Sequence, residues 1–196
     1  MKRLLVALLI TLGLISSVAA QEHTNRPPKL PPSTPGPSTT PKAPNANTGA
    51  WTKFTSEEGR FSVMMPGVPE DKVQTTPASP GPYTTHLFTL RQGANVYLIG
   101  WVDYDPSFDF DLYAELEMNR DNFVKGIEAT LLHSRNLNID GFTALEFTAE
   151  GKQRIFRSRV YMVGRRPYQI VIGSPKGVDD SVNVNRFFNS FKVSLN

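Results

Sequence analysis

The sequence predicts an α+β domain, a mainly antiparallel β-sheet covered by helices on both faces (an α/β/α three-layer sandwich). Short strands follow one another across hairpin-length turns rich in glycine, which favours antiparallel pairing. In residues 95–104 and 167–173 apolar side chains occupy both faces of the strand, which indicates that the sheet is covered on both sides. Two segments with helical periodicity, at residues 109–128 and 180–191, can supply that cover.

The first half of the domain is predicted to be made of hairpins. Strands are expected at residues 51–55, 61–65, 83–91 and 95–104, with a weaker one at 71–76. Gly100 interrupts the last of these strands, which predicts a β-bulge or the close approach of another element.

The second half is predicted to contain two helices and four more strands. Leu112, Leu116 and Phe123 share one face of the first helix, and Asp109 or Asp111 is expected to cap it. Four antiparallel strands are expected at residues 130–137, 142–149, 152–163 and 167–173. Asp180 or Ser181 is expected to cap the last helix.

Residues 1–20 are typical of a secretory signal peptide. Lys2 and Arg3 precede an apolar segment, and Val18 and Ala20 place small residues before the expected cleavage site. The apolar segment is shorter than the roughly 20 residues that a membrane-spanning helix needs. We therefore expect cleavage after Ala20, a secreted or periplasmic protein, and no membrane span after cleavage.

Residues 21–49 are predicted to form a disordered, partly polyproline-II tether. They contain eight of the 16 prolines, and their only large apolar residue is Leu30. The tether is interpreted as a spacer, with a wall-crossing stalk or a ligand for a proline-binding partner as alternatives. Residues 50–196 are predicted to form a single domain.

Charge and cysteine content exclude several classes of function. Removing Lys2 and Arg3 with the signal peptide lowers the formal net charge from +3 to +1, so no strong field favours nucleic acid or an anionic membrane. The chain has no cysteine. It therefore has no disulfide, thiol nucleophile, thiolate metal site or lipidated cysteine.

Three segments resemble a known fold family. They are residues 61–67 (Phe-Ser-Val-Met-Met-Pro-Gly), residues 186–191 (Arg-Phe-Phe-Asn-Ser-Phe) and a Tyr-x-Val-Gly-x-Arg-x-Tyr step at residues 161–168. With the order of elements, they resemble the PsbP-like superfamily, and more narrowly a group of uncharacterised exported bacterial proteins of that fold. The resemblance covers about residues 51–194. It implies a non-enzymatic binding or assembly module, and it transfers no catalytic residue.

One candidate binding site is cationic. Arg157, Arg159 and Tyr161 alternate onto one face of a predicted strand, and Arg165 and Arg166 lie at its turn. Arginine beside an aromatic ring can hold a carboxylate, a phosphate or a sugar acid. The alternative is a solvated strand face, or a sheet edge protected by charge.

Chemical motifs for catalysis or metal binding are absent from the sequence. Asp103 and Asp105 begin like a calcium loop, but Phe108 occupies the position where such a loop needs glycine, so a cation site there is only a weak alternative. His86 and His133 lie on different predicted strands, with no partner at ligand spacing. No nucleophile elbow or phosphate-binding loop is present. We expect no catalytic residue, no metal and no cofactor.

The sequence therefore favours an exported, non-catalytic binding or assembly module of the cell envelope or the extracellular space. Its expected partner is an envelope protein or a small anionic ligand, and nucleic acid is not expected. Two alternatives stay open. One is a small-ligand carrier with a cavity between sheet and helix. The other is a hydrolase with a dispersed site that uses Asp103, Asp105 or His86.

Overall fold

The computed structural model describes residues 50–109 and 111–195, which contain ten strands and two helices. The predicted signal peptide and tether lie outside the described residues. The strands are β1 (Thr52–Ser56), β2 (Phe61–Met65), β3 (Glu70–Thr76), β4 (Tyr83–Gln92), β5 (Asn95–Tyr104), β6 (Thr130–Ile139), β7 (Phe142–Glu150), β8 (Arg154–Val163), β9 (Arg166–Pro175) and β10 (Lys192–Val193). The helices are α1 (Leu112–Gly126) and α2 (Ser181–Ser190).

A seven-stranded antiparallel sheet forms the centre of the domain. Its strand order is β3-β4-β5-β9-β8-β7-β6, so β5 and β9 pair in the middle. Most residues of these two strands are buried whichever way they point. The prediction that both strands are covered on both faces is confirmed, because consecutive residues, which point to opposite faces, are buried in each strand.

The first hairpin does not join that sheet. β1 and β2 pair with each other, and β10 adds to the free side of β2, which makes a separate three-stranded sheet. Phe61, Val63 and Met65 of β2 are buried in the same cluster as Trp101 of β5 and Tyr168 of β9. The small sheet therefore packs its apolar face against the large one. The expectation of one sheet covered by helices alone is incomplete in this respect.

The core is divided into two clusters by the large sheet. One contains Tyr97 and Ile99 of β5 with Phe187 of α2. The other contains Leu98 of β5 with Phe123 of α1. Successive residues of a strand point to opposite faces of its sheet, so the two clusters lie on opposite faces.

The helix starts differ in how their first N–H groups are satisfied. At α1 the Asp111 carboxylate accepts from the backbone N–H groups of Tyr113 and Ala114, at 2.9 and 3.0 Å. This confirms Asp111 as the cap. At α2 Asp180 occupies the N-cap position but makes no capping hydrogen bond. Asp179 instead accepts from the N–H of Ser181 at 3.0 Å.

The register of the sheet decides against one of the two alternatives predicted at Gly100, a β-bulge or the close approach of another element. β4, β5 and β9 pair through Gly100 without a shift, so the bulge is wrong. The irregularity lies in edge strand β6, between Leu131 and His133. Neither helix of the described part of the chain is long and apolar enough to cross a membrane.

Candidate functional site

Polar side chains form two rows across β6, β7 and β8. Residues directly opposite each other in an antiparallel pair share a face of the sheet. The first row runs Arg135, Glu146, Arg159, and its next member on β9 is Ile170. Ile170 belongs to the cluster that contains α2. The first row therefore lies on the α2 side of the sheet.

The second row lies two residues away from the first on each of the same strands. It runs His133, Thr148, Arg157, and its next member on β9 is Ile172, which also belongs to the α2 cluster. Together the two rows form a surface that we call the polar face: His133, Arg135, Glu146, Thr148, Arg157 and Arg159. Its two β6 residues are exposed, and the other four are half-buried.

Glu146 joins the first row by ion pairs on both of its neighbours. Arg159 Nε donates to Glu146 Oε2 at 2.6 Å, and Arg135 Nη2 donates to Glu146 Oε1 at 2.6 Å. Burial alone would raise the pKa of Glu146, but the hydrogen bonds and charges of Arg159 and Arg135 outweigh burial and lower it. The guanidinium of Arg159 also lies 4.8 Å from the ring centre of Phe188. Arg159 is thus held in place by an ion pair and a cation–π contact.

Arg157 has a different environment from Arg159. Its Nη1 atom is buried, and within the described residues it has no hydrogen-bond partner. A buried donor without an acceptor costs about 1–3 kcal/mol. Asp179, at the start of α2, is an acidic group whose pKa is affected by the charge of Arg157. The pKa of Asp179 is lowered first by its hydrogen bonds with Ser181 and then by the charge of Arg157.

The predicted Arg-Tyr patch is only partly brought together. Arg157, Arg159 and Tyr161 do share one face of β8, but the Tyr161 side chain is buried and its ring centre lies 5.2 Å from that of Phe191. Burial raises the pKa of the Tyr161 phenol. The Tyr161 side chain therefore presents little surface to a ligand and is part of the buried core next to the two arginines.

The other two predicted arginines lie in other contacts. Arg165 donates to the backbone carbonyls of Asp105, Pro106 and Phe108, in the loop that leads to α1. Arg166 Nε donates to Asp103 Oδ1 at 2.6 Å. Both side chains hold neighbouring segments together.

A second polar cluster surrounds His86 on β4. The His86 ring is stacked on Trp101, with centroids 4.3 Å apart. Its Nε2 lies 3.3 Å from Asp103 Oδ2, and its Nδ1 lies 3.7 Å from Glu58 Oε1 in the β1–β2 loop. Only 5% of the His86 side chain is exposed, and among the described residues its Nδ1 has no hydrogen-bond partner.

Both carboxylate oxygens of Asp103 accept hydrogen bonds within this second cluster. Its Oδ1 accepts from Arg166, and its Oδ2 accepts from Trp101 Nε1 at 3.2 Å in addition to facing His86. Arg166 also donates to the backbone carbonyl of Glu58 at 3.1 Å, so the cluster fastens the β1–β2 loop to the large sheet.

The structure does not place Asp105 with His86 and Asp103 in this cluster. Its carboxylate accepts from the hydroxyl and the N–H of Ser107, which lower its pKa. Across residues 50–109 and 111–195, no group of three or more histidine and acidic side chains is placed to hold a metal ion.

A buried carboxylate lies under α1 on the other face of the sheet. Tyr104 donates its hydroxyl proton to Glu115 Oε1 at 2.6 Å, and Asn119 Nδ2 donates to the same oxygen at 3.0 Å. Burial raises the pKa of Glu115, although these two hydrogen bonds act in the opposite direction. The three residues fix α1 against β5.

Sequence reasoning missed four residues of the polar face: His133, Arg135, Glu146 and Thr148. They come from β6 and β7, and only the register of pairing places them beside Arg157 and Arg159. The sequence of β6 gives no signal for the face, because residues 133–136 are all polar and show no alternation.

Comparison with solved structures identifies the architecture. The solution structure of cyanobacterial PsbP (CyanoP) from Synechocystis sp. PCC 6803 is similar, with a TM-score of 0.50 and 12% identity, covering 81% of this chain and all of that one. A crystal structure titled as a protein of unknown function, PA94 from Pseudomonas aeruginosa, a putative regulator, aligns at a TM-score of 0.31 and 14% identity. That alignment covers 65% of this chain and 85% of that one. No known protein-family model matches the sequence, and no curated protein matches it.

Proposed function

We propose that this chain, which has the PsbP-like fold, is a non-catalytic binding or assembly module that works in the cell envelope or outside the cell. Residues 1–20 and 21–49 support the location, as a signal peptide and a tether. The polar face is the surface that we assign to binding. The proposal depends on that face, because it is where half-buried charged groups remain beside α2.

We interpret the domain as three layers: α1, the seven-stranded sheet, and α2 together with the small sheet. In this arrangement α2 and the small sheet cover the middle of one face, where Phe187 and Phe61 are buried. The rows on β6, β7 and β8 are one part of that face with charged rather than apolar side chains. A half-buried surface with arginine side chains beside a helix is suited to binding a polar partner, because arginine is enriched at interfaces.

The charged groups are paired in a way that favours binding over catalysis. Glu146 is bonded to Arg135 and Arg159, and Asp103 is bonded to Arg166. A general base needs an oxygen or nitrogen that can reach a substrate proton. The two guanidinium groups lower the pKa of Glu146, which makes that carboxylate a poor base. Both oxygens of Asp103 already accept hydrogen bonds, from Arg166 and Trp101.

Native mass spectrometry tests the proposal without assuming the chemistry of the partner. The chain is purified under mild conditions from the envelope fraction of the cells that make it, and the bound species is weighed. We expect a bound molecule that the Arg157→Gln variant loses. The Arg91→Gln variant should retain it, because Arg91 is exposed and pairs with Val96, which places it on the α1 side of the sheet, opposite the polar face.

Two results would contradict the proposal. One is retention of the chain in the cytoplasm in cell fractionation. The other is turnover of a chromogenic ester, phosphate or glycoside substrate that disappears in a His86→Gln variant.

A hydrolase is the second candidate, because His86 and Asp103 are brought to 3.3 Å. A histidine oriented by an acid is part of many hydrolase sites. In this chain the histidine is buried and stacked on Trp101, and the acid is bonded to Arg166. The substrate panel with His86→Gln therefore decides between the two candidates. The carrier hypothesis stays a prediction.

A further inference from the structure

We propose that Arg157, with Arg159 and Thr148 beside it, binds a small solute through an oxyanion, a phosphate or carboxylate group. This inference rests on the proposed function, and it names the class of ligand for the polar face. The site is built on β7 and β8, whose backbones are paired on both sides. Sites on paired strands hold their side chains more accurately than sites on loops.

The first argument is the unequal use of the three guanidinium groups. Arg135 and Arg159 each have a carboxylate oxygen of Glu146 as acceptor. Arg157 has a buried Nη1 that finds no acceptor in the described residues. Buried donors in native proteins are almost always satisfied, so this atom indicates that an acceptor belongs near it.

The second argument is geometric. Arg157 and Thr148 are directly opposite each other in the β7–β8 pair, and Arg159 lies two residues from Arg157 on the same face. A guanidinium donates two parallel N–H groups, which match two oxygens of a carboxylate or phosphate. A hydroxyl from Thr148 adds a further donor. The set offers hydrogen bonds to an oxyanion from two adjacent strands.

The third argument is charge. The polar face carries three guanidinium groups against the carboxylate of Glu146, and Asp179 is the acid nearby that responds to Arg157. Asp179 is exposed, and it already accepts from the N–H of Ser181. The balance favours one bound anion and no more.

The same balance favours a small solute over a polymer. Binding along nucleic acid or to an anionic membrane requires many lysine and arginine residues on one surface. Here the cationic excess is confined to neighbouring positions on β6 and β8. A single phosphate or carboxylate group fits that extent.

The test is an NMR titration of the exported chain, residues 21–196, labelled with ¹⁵N. Inorganic phosphate and glucuronate are titrated separately, and chloride keeps the ionic strength constant. We expect saturable shifts of the Arg157 Nε–H signal and of the Thr148 amide. The anion with the lower Kd shows which of the two oxyanion types the site prefers. Shifts that grow linearly with both probes, or that equal those caused by chloride, would overturn the proposal.

Variants separate the site from a general charge effect. Arg157→Gln should raise the Kd about tenfold or more, since hydrogen bonds to charged groups are lost. Arg157→Lys, which keeps the charge without the planar fork, should raise the Kd less. Arg91→Gln removes one exposed positive charge elsewhere and should change the Kd less than about twofold. Equal effects of Arg157→Gln and Arg91→Gln would show that only net charge matters.

The outcomes distinguish this inference from the proposed function. If neither anion saturates but a bound macromolecule is weighed in native mass spectrometry, the oxyanion site is wrong and the binding module stands. If an anion saturates and the chain also turns over a substrate through His86, the site stands and the non-catalytic function is wrong. Arg157→Gln could fail to fold. In that case Arg157→Lys supplies the test, because it preserves the aliphatic stem and the charge of Arg157.

Discussion

The imidazole of His86 lies flat on the indole of Trp101, with ring centroids 4.3 Å apart and planes 5° from parallel. The two residues are directly opposite each other on β4 and β5. The stack forms where the β1–β2 loop meets the large sheet, since Glu58 Oε1 of that loop lies 3.7 Å from the imidazole Nδ1. The aromatic stack and the two carboxylates near the imidazole nitrogens therefore lie in one small cluster.

Replacing His86 separates the contribution of the stack from that of the ring nitrogens. His86→Ala should lower the free energy of unfolding by about 1–3 kcal/mol, because it removes a buried ring from Trp101. His86→Phe keeps a ring on the indole and should lose clearly less. Urea unfolding of both variants measures the difference. Equal losses would assign the stabilisation to the contacts of the nitrogens with Asp103 and Glu58.

Gly173 is required by the ring of Phe156. A Cβ at Gly173 would lie 2.8 Å from Cε1 of Phe156, which is a clash with a buried ring. Gly173→Ala should therefore destabilise the domain by about 1–3 kcal/mol in thermal or urea unfolding. The matched control is Gly126→Ala, where nothing lies within 4 Å of the new Cβ. That change should be neutral or stabilise by up to about 1 kcal/mol. Similar losses in both variants would contradict the clash.

Glu115 should contribute more to the stability of the domain at acidic than at neutral pH. Burial raises the pKa of Glu115 above its ordinary value of 4.5, so the folded state holds the proton more tightly than the unfolded state does. The contribution of this group to stability is then complete below pH 4.5, and it is lost as the pH rises through the folded-state pKa.

Glu115→Gln should remove that pH dependence and be at least as stable as the wild type at pH 8. A glutamine oxygen still accepts from Tyr104 and Asn119, and it carries no charge to bury. Urea unfolding at pH 5 and pH 8 gives the slope for both proteins. An unchanged slope in the variant would show that Glu115 is not the group responsible.

Glu146 should act with the opposite sign, because Arg159 and Arg135 lower its pKa. Its contribution to stability is present above pH 4.5 and is lost as the pH falls through the folded-state pKa. Glu146→Gln should cost about 1–2 kcal/mol at neutral pH, since it leaves the half-buried Arg159 without its ion pair. The control is Glu128→Gln. Its pair with Lys152 is exposed, and that variant should change stability by less than about 0.5 kcal/mol. A similar effect of the two substitutions would show that burial adds nothing to the Glu146 pair.

Elements with a clear local pattern could be predicted from the sequence. The two-sided burial of β5 and β9 follows from their apolar residues on both faces, and the Asp111 cap follows from an acid placed before a helical pattern. These features depend on neighbouring residues in the chain. For the same reason the hairpin connections between β6, β7 and β8 were predictable from their turns.

Contacts between distant segments could not be predicted in this way. Asp103 and Arg166 meet because β5 and β9 pair in one register, and a slip of one residue would turn Arg166 to the other face. β1 and β2 form their own sheet with β10, which has two residues and no period to detect. Arg135 and Glu146 lie in one hairpin, but which residues face each other there depends on the register of β6 and β7.

The pairing of β10 with β2 brings Val193 opposite Phe61, so the last strand of the domain closes on one of the first. Nearly every other residue of the domain lies between these two strands in the chain. Pairing them closes a long loop and costs conformational entropy, and this cost is offset only when the large sheet has formed and holds β2 and β10 near each other. A polypeptide synthesised from its amino terminus therefore keeps this edge of β2 unpaired until β10 has emerged. Deleting Lys192 and Val193 should leave that edge of β2 without a partner strand.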